Sequence, residues 1–269
     1  MGLFTGKTGL VLGVVNEYSI AWAITQKLLE QGAEVGFTHL PGDKMARRVH
    51  KLADPIGSKM VFPCDVQKDE DVAAAFAKAK ETYGSLDFVV HSIAYAPLED
   101  LKVPFAKASR AGFQTAMDVS VYSLAIVARH AAEVMTEGGS IVTLTYFGGE
   151  RVVAGYNLMG VCKAALDMSV RYLAYDLGPQ KIRVNAVSAG PVKTLAASAV
   201  GEADKLAALY EAVSPMGRNI DRTEVGSAAM FLLSDLASGI TGEVLHVDCG
   251  YNIMGSPGRA VDTAREGKA

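Results

Sequence analysis

The sequence predicts an α/β fold: one doubly wound parallel sheet of about seven strands, with helices on both faces. Short β-branched apolar runs alternate with longer amphipathic stretches, the pattern of βαβ units and right-handed crossovers. Several short runs, such as Leu86–Val90, are almost continuously apolar, as strands are when helices cover both sheet faces. Glycines stand where helical patterns must stop, at Gly32, Gly57, Gly84 and Gly178.

In chain order, Thr8–Val14 reads as the first strand and Ile20–Gln31 as the helix that follows it. Glu34–His39 and Lys59–Cys64 are the next strands, with an amphipathic Lys44–Asp54 between them. Lys68–Tyr83 is a helix, Leu86–Ser92 a strand, and roughly Arg110–Met135 a long helix. Ser140–Tyr146 and Arg183–Ser188 are strands on either side of the helix Tyr156–Leu177. Thr223–Leu233 and Glu243–Val247 close the pattern as helix and strand. These units make a single Rossmann-type domain over residues 1–255, with no repeat or linker inside it. Residues 256–269 turn small and charged and read as a flexible tail. Residues 190–212 follow a strand, where such sheets carry their ligands, and they are rich in small side chains. The segment reads as a lid over a site, with a decorated connection as the plainer account.

Composition narrows the function. A net charge of −3 gives no excess of cations for nucleic-acid phosphates. Three scattered cysteines, Cys64, Cys162 and Cys249, are neither a disulfide framework nor a zinc site and fit a reducing compartment. The first residues lack an apolar signal core, and no apolar run reaches the roughly 18 residues that span a bilayer. The expectation is a soluble cytoplasmic protein with no membrane or nucleic-acid partner.

Tyr156 and Lys163, with six residues between them, stand close to two helical turns apart and share one face. A phenol beside an ammonium handles protons: the cation favours phenolate and can also hold a hydroxyl-rich ligand. That chemistry suits a nicotinamide enzyme that stabilises charge on an oxygen while a hydride moves. Tyr146 ends a strand ten residues earlier, so it converges on the same sheet edge. Gly13 ends the first strand, and Ser19-Ile20 opens the next helix, an arrangement that lets a pyrophosphate approach backbone N–H groups. The loop is not G-x-G-x-x-G, so an ordinary strand–helix turn stays open. Asp65-Val66 follows the third strand, where an acid can accept from an adenine amino group or cap a helix, as Asp69 also could. Ser92-Ile93-Ala94 leaves room for a ribose, and His91 reads as a packed histidine rather than a base.

Together these residues resemble the enoyl-acyl-carrier-protein reductases, a divergent branch of the short-chain dehydrogenase/reductases, from Leu3 to about Met254. The resemblance rests on Gly13 with Ser19-Ile20-Ala21, Cys64-Asp65-Val66, His91-Ser92-Ile93, Tyr146, Tyr156-x6-Lys163, Arg183-Val184-Asn185-Ala186 and Ser188-Ala189-Gly190-Pro191. Ordinary members of the wider family use Tyr-x3-Lys with a serine on the preceding strand. Here position 160 is glycine and Tyr146 stands about where that serine would be.

The resemblance implies reduction of a trans-2-enoyl thioester on acyl carrier protein within fatty-acid synthesis. It implies that Tyr156 donates to the enolate oxygen and that Lys163 holds the nicotinamide ribose. It gives Tyr146 and the Ala96 backbone to the acyl pocket, Val192 and Thr194 to the nicotinamide, and the protein a homotetrameric state. NADH is the expected cofactor and NADPH the alternative. Relatives have a glutamine where Leu40 stands, which weakens the adenosine contact there. Lys44, Arg47 and Arg48 are near enough to take a 2′-phosphate, although they also read as a solvated helix face.

Overall fold

The computed structural model describes residues 2–192, 203–258 and 261. Its strands are β1 (Thr8–Leu12), β2 (Glu34–His39), β3 (Val61–Pro63), β4 (Phe88–His91), β5 (Gly139–Thr145), β6 (Ile182–Ala189) and β7 (Val244–Val247). They form one sheet in the order β3-β2-β1-β4-β5-β6-β7, with every pairing parallel. The chain winds outward from β1 to β3 and then returns to place β4 beside β1. This reversal opens a crevice at the carboxyl ends of β1 and β4, where doubly wound sheets bind ligands.

The described helices are α1 (Ile20–Glu30), α2 (Asp43–Ala53), α3 (Asp69–Tyr83), α4 (Leu98–Leu101), α5 (Arg110–Met117), α6 (Ser123–Val134), α7 (Asn157–Leu177), α8 (Ala203–Val213) and α9 (Arg222–Leu233). Side chains alternate across each strand, so one strand feeds two cores. Leu10, Leu12, Val89 and Ile141 point to the face covered by α3, α6 and α7. Val11, Val90, Val142 and Val187 point to the face covered by α1 and α9. α1 and α9 approach backbone to backbone at Gly226, where a Cβ would stand 2.7 Å from the Ala23 carbonyl oxygen.

The structure shifts several predicted boundaries. β1 stops at Leu12 because Gly13 turns to φ 100°. The third strand shortens to Val61–Pro63. Gly178 stays right-handed and Pro179 follows it; the left-handed turn falls instead on Lys181, at φ 59°. The predicted Arg110–Met135 helix is interrupted by one π-helical turn, Asp118–Tyr122. As a whole, Arg110–Val134 is long and apolar enough to cross a membrane by length and composition. Its Leu124, Ile126, Val127, Ala128, Ala131 and Val134 are buried in the sheet core, which accounts for that apolarity.

Candidate active site

The predicted site residues gather along the carboxyl edge of the sheet. At its centre a Cβ on Gly13 would lie 1.9 Å from the Ser92 carbonyl oxygen. The ends of β1 and β4 therefore close on each other at a position that admits only glycine. α1 begins seven residues on, with Ser19 at its N-cap and no acidic residue in its first turn. With no acid in that first turn, its dipole end fits a pyrophosphate. The Ser19 hydroxyl donates to the Asn16 carbonyl at 2.7 Å, which shapes the loop.

Farther along the edge, Val66 is buried, Asp65 is half-buried and Leu40 is exposed. Neither Asp65 nor Asp69 caps α3: the N-cap is Lys68, and the Asp65 carboxylate accepts from the Gln67 N–H at 3.2 Å. Lys44, Arg47 and Arg48 are exposed on α2. Ser92 and Ile93 are half-buried, Ala94 is exposed and Ala96 is buried. Val192 is half-buried, while Thr194 lies outside the described residues.

His91 is fully buried between the Thr143 hydroxyl at 2.9 Å and the Ser123 hydroxyl at 2.8 Å. Burial, with the nearby Lys163 charge, pushes it down to about 3, so it stays neutral and structural.

Tyr156 sits at the N-cap of α7 and Lys163 lies inside the helix, on its buried face. The Lys163 ammonium donates to the Leu144 carbonyl at 2.7 Å. Burial lowers it to about 8, against the opposing pull of Asp167 and Cys162. Tyr156 is raised above the ordinary phenol range, first by burial and then by neighbouring Tyr146, Cys162 and Asp167. Burial therefore outweighs the pull of the nearby cation toward phenolate. Lys163 spends its charge on Leu144, and Tyr156 keeps its proton as a hydrogen-bond donor.

The Tyr-x3-Lys alternative is closed by sterics. The turn Phe147–Gly149 lies against α7, so a Cβ on Gly160 would stand 2.8 Å from the Gly148 carbonyl oxygen. A Cβ on Gly148 would stand 2.4 Å from the Tyr156 ring. No lysine fits at 160 without moving that turn.

A family model described as enoyl-(acyl carrier protein) reductase matches residues 13–252. The chain belongs to that family. It is 50% identical over 253 residues to a Nostoc NADH enoyl-[acyl-carrier-protein] reductase FabI, covering 93% of this chain and 98% of the relative. It is 50% identical over 257 residues to the Bacillus cereus FabI, covering 95% and 100%. A Bacillus cereus enoyl-acyl carrier protein reductase solved with NADP+ and an indole naphthyridinone superimposes with TM-score 0.92 at 50% identity, over 95% of this chain and 100% of that one. An Anaplasma phagocytophilum enoyl reductase in complex with NAD gives TM-score 0.91 at 48% identity, over 95% and 97%. The expected family, sheet architecture and NADH-dependent reductase class are borne out by these matches.

The reductase site also contains residues that the sequence reading passed over. Tyr146 meets Tyr156 edge-on, with ring centroids 4.6 Å apart. Its hydroxyl shares a 2.5 Å hydrogen bond with Tyr210 of α8. Tyr210 stacks on Tyr251 at 3.8 Å, and Tyr251 meets Phe147 edge-on at 5.8 Å. Asn157 takes φ 37° and donates to the carbonyls of Leu101 and Val103 at 2.9 and 2.8 Å, fastening the 98–103 segment to the start of α7. Ser120, carried by the π turn, bonds both the N–H and the carbonyl of Tyr95 at 2.9 Å. It thereby fixes the loop that holds Ala94 and Ala96, a use of π turns common at functional sites. Of the residues passed over, Asn157 alone carried a local signal, standing directly after Tyr156.

Proposed function

We propose that this protein reduces trans-2-enoyl thioesters carried on acyl carrier protein, with NADH as reductant, within fatty-acid synthesis. One observation carries the reading: a protonated phenol, Tyr156, stands half-buried against the Tyr146 ring, at the N-cap of the helix that carries a buried ammonium. That is a donor aimed where negative charge develops, next to a cation that can grip ribose hydroxyls.

The residues present fit a dinucleotide, because the close Gly13–Ser92 packing turns the chain from β1 into the N-terminus of α1, whose first turn carries no acidic residue. Gly13, Ser19 and Ile20 would hold the pyrophosphate, and Leu40, Asp65 and Val66 the adenosine. Ser92, Ile93, Ala94 and Lys163 would hold the nicotinamide ribose, with Val192 and Thr194 toward the carboxamide. When bound, the reduced nicotinamide supplies the hydride for the substrate β carbon. Tyr156 then donates to the thioester oxygen as it gains charge, an interaction stronger in the transition state than in the ground state. Tyr146 and the Ala96 backbone bound the acyl group, and the half-buried rim excludes water from it. Lys163 orients the ribose and keeps a positive charge within reach of the developing anion.

NADH is favoured over NADPH because Lys44, Arg47 and Arg48 stand on the exposed face of α2, as a solvated face would. The protein acts in the cytoplasm, with neither membrane nor nucleic acid as partner. It works as a homotetramer, with the apolar outer face of α7 at an interface: Met168, Tyr172 and Tyr175 are exposed there. Light scattering reads that state directly.

The test is loss of reduced-nicotinamide absorbance with a short trans-2-enoyl thioester, run with NADH and NADPH. Consumption with NADH is the expected result. Consumption with NADPH alone moves the α2 cations into the cofactor site. No consumption with either, while a ketoacyl thioester is reduced, overturns the reading.

A further inference from the structure

We propose that Tyr210 is a positioning residue of the reaction: its hydroxyl holds the Tyr146 phenol, and through it the Tyr146 ring, in the orientation that fixes Tyr156. The inference rests on the enoyl reductase reading and goes beyond it, since α8 supplies none of the expected catalytic groups.

A continuous set of contacts supports it. Asp248, at the end of β7, accepts from the N–H groups of Gly250 at 2.9 Å and Asn252 at 2.8 Å. Those bonds shape the turn Tyr251–Ile253. The turn is seated further by Gly250, which at φ 83° would put a Cβ 3.0 Å from the Pro215 ring. Tyr251 then presents a face on which Tyr210 stacks at 3.8 Å and 14°. Tyr210 is only 2% exposed, so its hydroxyl has little water to bond and finds Tyr146 instead. Tyr146 in turn lies edge-on to Tyr156.

Burial and the proximity of Tyr146, Tyr251 and Asp248 push Tyr210 above the ordinary phenol range, and burial raises Tyr146 as well, so both phenols keep their protons and either oxygen can donate in the bond they share. Nothing in this arrangement requires Tyr210 to touch substrate. Its effect passes through the hydroxyl bond to Tyr146, whereas a purely structural aromatic would stack on Tyr251 equally well without a hydroxyl.

That difference supplies the test. Tyr210→Phe keeps the stacked ring and deletes only the hydroxyl. It is measured with Tyr146→Phe and the double variant in a cycle, reading kcat and KM for an enoyl thioester, NADH affinity by fluorescence titration, and Tm. The expected result is that Tyr210→Phe lowers kcat about fivefold, the scale of one neutral hydrogen bond. NADH affinity and Tm stay at the wild-type values. The double variant is no slower than Tyr146→Phe alone, because the lost hydroxyl acts through that phenol. Wild-type kcat in Tyr210→Phe overturns the proposal, and so do two losses that multiply in the double variant. A loss of Tm matching the loss of rate also overturns it, as that would be packing alone. If Tyr156→Phe still lowers kcat about a hundredfold while Tyr210→Phe is silent, the enoyl reductase reading stands and only this inference falls.

Discussion

The two halves of the crevice are built on different principles. On the β1–β4 side, backbone meets backbone: Gly13 and Ser92 leave no room for even one extra carbon. On the β5–α7 side, side chain meets side chain: Tyr146, Tyr156, Tyr210 and Tyr251 brace one another through ring contacts and one shared hydroxyl bond. The first half is all-or-none, because a steric wall cannot be partly satisfied. The second is graded, because each ring or hydroxyl contributes a separable share. Under the proposed function, a surface that must grip the cofactor identically every turnover suits the first design, and one that must meet a developing charge suits the second.

Gly13→Ala attacks the rigid half and has the largest expected effect. The new methyl meets the Ser92 carbonyl in a backbone region L-residues rarely adopt. NADH binding is lost altogether by fluorescence titration, and enoyl reduction with it. Retained affinity would show that the β1–β4 approach can yield and that the contrast is overdrawn. Tyr156→Phe attacks the graded half. It removes one donor to a developing oxyanion, which costs about a hundredfold in kcat. NADH affinity stays unchanged, and an equal fall in both would place the phenol in cofactor binding instead.

How far the sequence carried this contrast follows from range. Gly13, Tyr146, Tyr156 and Lys163 were legible because strand ends and helix starts of a parallel sheet fall at one edge, whatever the tertiary detail. Tyr210 and Tyr251 were not legible: they are 64 and 105 residues from Tyr146 along the chain, and no local pattern signals that their rings stack. The π turn at Asp118–Tyr122 hid inside an unbroken apolar periodicity, since one wide turn barely disturbs a period of 3.6. Arg183 and Asn185 belonged to the family pattern without being part of the site. The Arg183 guanidinium donates to the carbonyls of Leu232, Ser234 and Ile240, closing the end of α9. Asn185 bonds Ile240 and Glu243 across the β6–β7 connection. The placement of Lys163 on the Tyr156 helix was legible but its bond to Leu144 was not, because a helix face does not reveal which strand carbonyl lies beneath it.

Lys163 joins the two halves, and pH separates its share. Its folded value of about 8 lies below the ordinary lysine value of 10.5, with burial as the main cause. It is therefore an ammonium below pH 8 and loses charge as pH rises through that value. NADH affinity should weaken across the same interval and level off above it. In Lys163→Met the affinity is weak at every pH and this step disappears. A step that persists in the variant would assign it to another group. For stability the sign is opposite: between about 8 and 10.5 the unfolded chain binds more protons than the folded one. Lys163 therefore makes the fold relatively more stable as pH climbs through that window.

The smallest expected effect comes from a site outside both halves. Asp221 caps α9 with a reciprocal box: its carboxylate accepts from the Thr223 N–H at 2.8 Å, and Glu224 accepts from the Asp221 N–H at 2.7 Å. Arg218 clamps Glu224 with two bonds, at 2.7 and 2.8 Å, and that bonding holds Glu224 down to about 2. α9 buries Val225, Ala229 and Leu232 against the face of the sheet that carries β1. Loosening its first turn therefore weakens the scaffold beneath the rigid half without touching either set of contacts in the crevice. Asp221→Ala should cost about 1 kcal/mol, near the usual value of a lost cap, and lower Tm by about 2–4 °C for a domain of this size. kcat, KM and NADH affinity at 25 °C should stay at wild-type values. A fall in NADH affinity with Tm held would mean that the Gly13 groove depends on strain transmitted through α9, and that the rigid half is set by helix packing rather than by the backbone contact itself.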